Sequence, residues 1–156
     1  MIKKYTAILL SIVLILAGME IAHLLEPHPA HAASTFGNIL CDNFKPFSVS
    51  ANTQVATAGN GNMFIYVCSY NINNGNAGAQ AVSFVEGTGT ACATNTLAVV
   101  GNSTAVGGLA LGVNGTVNYG GGSGAVAKTA VAGDNLCLYT AAGPIAGVIG
   151  TTQAPF

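Results

Sequence analysis

Very few side chains in this sequence could carry acid–base or nucleophilic chemistry. Beyond residue 32 there are three carboxylates (Asp42, Glu86, Asp134) and two lysines (Lys45, Lys128), with no Arg and no Trp. All three histidines, His23, His28 and His31, come earlier. A chain starting at residue 33 therefore has no imidazole, and Ser-His and Cys-His nucleophilic devices are excluded. Glycoside hydrolysis needs two carboxyl groups at a defined separation. Asp42 and Asp134 read as turn residues, however, and Glu86 ends a strand before Gly87. Lys128 reads as an edge or solvent-facing strand residue rather than a Schiff-base lysine. Calcium loops are usually richer in Asp and Asn than Asp42-Asn43 and Asp134-Asn135. No catalytic, cofactor-binding or metal-ligating residue is expected.

The four cysteines, Cys41, Cys68, Cys92 and Cys137, are the strongest chemical signal. Spacings of 27, 24 and 45 residues contain no C-x-x-C pair. Without a nearby His they do not compose a zinc site. An even number in a small exported domain reads as two structural disulfides. Cys68 and Cys137 fall inside strand-like runs, and Cys41 and Cys92 near strand ends or loops. Three pairings are possible and the spacing selects none.

Tyr66, Tyr70, Tyr119 and Tyr139, with the many Asn and Thr residues, could make a carbohydrate-binding face. The competing reading is core packing with a wet phenol tip, favoured because Tyr66 and Tyr70 share a strand face with Cys68. Asn102-Ser103-Thr104 and Asn114-Gly115-Thr116 are sequons that matter only in a glycosylating host, and Asn114 is better explained by a turn.

The first residues have the pattern of an export signal. Lys3 and Lys4 precede an uncharged apolar run of about 14 residues, short of the roughly 20 needed to span a bilayer. Pro27 and Pro29 follow, and Ala30-His31-Ala32 offers an A-x-A cut after Ala32. The expected organisation is a signal peptide at 1–32 and one domain at 33–156, secreted or at the cell surface, with no stable membrane anchor once the signal is cut. An uncleaved anchor is the alternative. Met19 stands where a lipidated Cys would be required. Charged residues make up 6% of the sequence, against about 25% in typical soluble proteins. The four lysines make no basic surface to neutralise phosphates, so nucleic acid is excluded as a partner. Near-zero net charge also removes the self-repulsion that keeps copies apart.

The elements that must position these residues are strands. In MFIYVCSYNI (63–72), Phe64, Tyr66, Cys68 and Tyr70 alternate with Ile65, Val67 and Ser69. In AVSFVEG (81–87), Val82, Phe84 and Glu86 share a face. Further strands are expected at 39–42, 48–56, 97–100, 105–113, 116–119, 125–131, 136–140 and 145–151. Asn73-Asn74-Gly75-Asn76 suits a type I′ hairpin turn, since Asn-Gly tolerates positive φ. Turn signals recur at Asn60-Gly61, Asn114-Gly115, Gly133-Asp134-Asn135 and Gly143-Pro144. No helix is expected after residue 33, and the glycine run at 120–124 reads as a loop, lacking the Lys-Ser/Thr of a phosphate cradle. Short strands at this spacing make an all-β fold, an antiparallel β-sandwich or jelly-roll-like domain.

Three segments, IYVCSY (65–70), VEGTGTAC (85–92) and NLCL (135–138), resemble a loose group of small secreted or phage-associated bacterial β-rich proteins of uncharacterised function. The resemblance spans roughly residues 38–152. It implies a sandwich with structural cysteines and a place on a virion or cell surface, and it transfers no catalytic residue. The expected function is a non-enzymatic, exported structural or surface protein. It would be disulfide-stapled and self-associating, as a filament or coat. The alternative is an adhesion module binding cell-surface glycan.

Overall fold

The structure is a computed structural model that describes residues 39–120 and 124–155. The expected signal at 1–32, its cut after Ala32, and residues 121–123 of the glycine run lie outside the described residues.

Among the described residues the chain is all-β. Its strands are β1 (Asn43–Val49), β2 (Thr53–Ala56), β3 (Phe64–Asn74), β4 (Gln80–Thr88), β5 (Thr94–Val100), β6 (Leu109–Leu111), β7 (Thr116–Gly120), β8 (Ala127–Lys128), β9 (Asn135–Thr140) and β10 (Ile145–Ala154). They form two antiparallel sheets. Sheet 1 has the order β1-β10-β3-β7, with β8 also on β3; sheet 2 has the order β2-β9-β4-β5, with β6 also on β4. β7 and β8 pair with successive stretches of β3, and β5 and β6 with successive stretches of β4. Each pair is thus one interrupted edge strand. Counted that way, eight strands pair first with last, second with seventh, third with sixth and fourth with fifth. The chain is a single long hairpin rolled over itself, which is jelly-roll connectivity.

The core lies between the sheets. Ile65, Val67, Tyr70 and Ile72 from β3 meet Val82 and Phe84 from β4, Leu136 and Leu138 from β9, and Ile145 and Ile149 from β10. The main core is the inner face of each sheet, and parts of the outer faces are buried too, at Tyr66 and Cys68 on sheet 1 and at Ser83, Val85 and Cys137 on sheet 2.

The rolled hairpin explains where the sequence-based expectations fail. The β3–β4 connection is no hairpin, because its strands belong to opposite sheets. The same holds for the connections at Asn60-Gly61, Asn114-Gly115, Gly133-Asp134 and Gly143-Pro144. The β4–β5 connection alone turns back within one sheet onto the adjacent strand. Asn-Gly reports a backbone that accepts positive φ, as Asn114 does at 52°, and not which sheet comes next.

The strand expected at 48–56 is two strands in different sheets, broken at the corner 50–52. The strand expected at 39–42 is coil, and the strand is instead β1, through Lys45 and Pro46. Proline is tolerated there because β1 is an edge. The runs at 105–113 and 125–131 shrink to Leu109–Leu111 and Ala127–Lys128.

One expected face assignment is also overturned. Gly150 pairs with Ser69 but Thr151 pairs with Val67, so Cys68 is an extra residue in β3. This bulge reverses the alternation beyond it. Tyr70 therefore joins Ile65 and Val67 in the core, and Ser69 faces outward. At the same place a Cβ on Gly120, whose φ is 78°, would overlap the carbonyl of Cys68.

Candidate functional site

The cysteines pair as Cys41–Cys68 and Cys92–Cys137, with Cα–Cα separations of 5.9 and 6.1 Å. Each bridge ties a strand cysteine to one in an irregular segment. Cys41–Cys68 fastens the coil before β1 against sheet 1, where Ile39 and Phe64 pack with Tyr66 and Ala125. Cys92–Cys137 fastens the β4–β5 connection to sheet 2, where Val85 and Tyr139 complete a small cluster. The Tyr139 hydroxyl donates to the Cys92 carbonyl at 3.0 Å. Neither bridge joins the two sheets. Two disulfides are compatible with an extracellular location.

The carboxylates do not form a catalytic pair open to substrate. Asp42 lies in the coil before β1. Glu86 follows the alternation Val82, Phe84, Glu86 and faces into the sandwich, with 0% of its surface exposed. One of its oxygens accepts from the backbone N–H groups of Ala130 and Val131. Its other oxygen, Oε1, is buried without a hydrogen-bond partner. Burial pushes the Glu86 carboxyl above the usual range; the two N–H groups and, more weakly, Lys128 oppose the rise, while Asp134 adds to it. Asp134, 5% exposed, is also raised by burial. Lys128 sits on the short edge strand β8, with its Nζ 4.0 Å from the centre of the Phe64 ring.

The tyrosines do not assemble into a binding face. Tyr66 and Tyr70 are buried, and Tyr139 lies on the other sheet. Tyr119 is exposed, but its register partner is Tyr70, and the two rings stack with centroids 5.6 Å apart. It thus lies on the inner side of the sheet, at its open edge.

Sequence reasoning missed the outer surface of sheet 1. The register aligns three rows across its four strands: Phe44–Gly150–Ser69–Gly120, Pro46–Val148–Asn71–Asn118, and Ser48–Ala146–Asn73–Thr116. No member of these rows is charged. Phe44 is 61% exposed and Val148 41%. A Cβ built on Gly150 would lie 2.7 Å from Phe44 Cε1, so this ring rests across the glycine. Asn71 donates to Asn118, and Asn73 Nδ2 donates to Thr116 Oγ1 at 2.9 Å. Much of the polar side-chain capacity of the face is therefore spent within it. The signal for this face was the alternate small residues of β10, Ala146, Val148 and Gly150, unreadable as a surface until the pairing was known.

A shallow depression of about 690 Å³ lies on the other sheet's side, lined by Asn52, Thr53, Gln54, Thr90, Ala91 and Asn135. Asn52 Oδ1 accepts from Thr140 N and Asn135 Oδ1 from Ala58 N, which fixes both amides. Gln54 Nε2 donates to Thr57 Oγ1 at 2.6 Å. The lining is uncharged and rich in hydrogen-bonding groups.

Comparison with protein families, curated proteins and solved structures finds no match. Any functional reading therefore starts from the geometry of these surfaces.

Proposed function

We propose that the chain is an exported structural or surface protein, without enzymatic activity, whose copies associate through the outer face of sheet 1. The observation that carries this reading is the set of three uncharged rows, with Phe44 and Val148 exposed on them. Two copies meeting there bring no like charges together, and the Asn and Thr side chains already satisfy part of one another's hydrogen bonding. Contact of one patch with the same patch is the isologous geometry of two-fold dimers. Growth by strand addition is disfavoured by the edges: β1 carries Pro46, β2 is four residues long and bulged, and the other two edges are interrupted. The two disulfides fit a location outside the cytoplasm.

Sedimentation equilibrium and light scattering across a concentration series test this, with negative-stain images of the largest species. Association is expected to weaken at least tenfold on Phe44→Asp or Val148→Asp. Tyr119→Ala is expected to leave it unchanged, because Tyr119 is on the inner side of the sheet. A monodisperse monomer at every concentration would sink the proposal.

The amide-lined depression favours a second reading, a glycan-binding adhesion module. Fixed amides and hydroxyls without charge suit the hydroxyl groups of a neutral sugar. Binding on a glycan array that is lost with Gln54→Ala or Thr90→Ala would support it, and a flat array would reject it.

A further inference from the structure

The buried end of the sandwich around Glu86 poses a separate problem. Glu86 pairs in register with Leu136. Asp134 lies two residues before Leu136, immediately ahead of β9, whose first residue Asn135 pairs with Gly87 next to Glu86. The Asp134 charge acts on Glu86. Two carboxyl groups are thus brought together from 48 positions apart in a chain that has only three beyond residue 32. Both are almost wholly removed from water. Glu86 Oε1 is also the buried side-chain polar atom left without a partner among the described residues. An orphaned buried oxygen of this kind calls for a water or an ion. Lys128 is the nearby positive group, and its charge opposes the rise in Glu86 less than the two N–H groups do.

We propose that Glu86 and Asp134 form a binding site for a divalent cation of the calcium class, at the end of the sandwich closed by the β8–β9 connection. Glu86 Oε1 and the two oxygens of Asp134 supply hard, negatively charged ligands. Water and backbone carbonyls complete the six to eight oxygens that calcium takes. Glu86 Oε2 already receives the N–H groups of Ala130 and Val131, so an ion here would lock the β8–β9 connection to β4. With only two carboxylates, the affinity expected is that of weak extracellular sites, a dissociation constant of about 10⁻⁴–10⁻³ M. The site is independent of the association face proposed above.

The test is thermal unfolding of the purified full chain at neutral pH, in EDTA and in 10 mM CaCl₂, with calorimetric titration of CaCl₂. Calcium is expected to raise the melting temperature by about 4–10 °C, and magnesium by less. Glu86→Gln keeps the shape of the side chain and an oxygen for Ala130; Asp134→Asn leaves Glu86 intact. Each is expected to abolish the shift, and if one variant fails to fold, the other decides. A wild-type melting temperature indifferent to calcium would overturn the proposal. So would a shift that survives either substitution, which would indicate adventitious surface binding.

Discussion

Asn74 donates its side-chain amide to the carbonyl of Gly112 at 2.8 Å, joining two connections that lie 38 residues apart. The same amide nitrogen donates to Gly78 O at 2.9 Å, and Asn74 Oδ1 accepts from Asn76 N at 2.9 Å. Its backbone N–H adds a bond to Gly115 O at 2.8 Å. Asn74 is fully buried. It therefore acts as a clamp holding the β3–β4 and β6–β7 connections against each other.

Asn74→Ala removes three side-chain bonds; Gly112 O keeps the N–H of Gly115, and the exposed Gly78 O can turn to water. At roughly 0.5–1.5 kcal/mol net for each lost bond, the expected loss is about 2 kcal/mol. Urea unfolding of the two proteins measures it. A loss under about 1 kcal/mol would mean that the clamp is not holding the connections together.

Each disulfide closes a long loop, with separations of 27 and 45 residues. The chain-entropy argument assigns about 3.6 kcal/mol to the first and about 4.0 kcal/mol to the second. The double replacements Cys41→Ala/Cys68→Ala and Cys92→Ala/Cys137→Ala are each expected to lower stability by about 3–4 kcal/mol. Non-reducing peptide mapping should recover these two pairs. Recovery of a Cys41–Cys92 or Cys68–Cys137 peptide would contradict the fold itself, since each surface cluster is built around its own bridge.

Glu86 and Asp134 reverse the usual pH dependence. Burial raises both carboxyls in the folded state. Between the ordinary Glu value of about 4.3 and the higher folded value, the native state holds protons that the unfolded chain has released. Stability therefore falls as pH rises through that window, and it is regained on acidification. In EDTA, denaturation midpoints should increase from neutral pH toward about pH 4.5, and Glu86→Gln should flatten most of that slope. A midpoint that drops steadily over the same range would refute this account.

Much of the fold was legible in the residues, and the part that was not has definite causes. The apolar residues on both faces of 63–72 suited a central strand, and β3 lies inside sheet 1 with β10 on one side and β7 and β8 on the other. Proline and lysine hid β1, because an edge strand needs no unbroken ladder on its outer side. The Cys68 bulge left no trace in composition, and one extra residue was enough to send Tyr70 to the opposite face. Asn74 was read as a turn residue because its type is common in turns, yet it is the buried member of one. The burial of Glu86 was foreshadowed, since it continues the apolar alternation Val82, Phe84. That Asp134 lies beside it was not, because their proximity depends on which strands pair. The cysteine pairing was hidden for the same reason, as Cys41 and Cys92 both precede or interrupt the ladder in similar ways.

The pairing of first strand with last sets a timetable. β3, at the centre of sheet 1, has β10 as one neighbour, and β10 ends at Ala154. Among the described residues β1 has only β10 beside it in the sheet. Sheet 1 cannot be completed until β10 has been made, and contacts this distant in sequence form slowly. A chain made N-terminus first thus holds β1, and the side of β3 that β10 will cover, without a ladder partner in sheet 1 until β10 has been made.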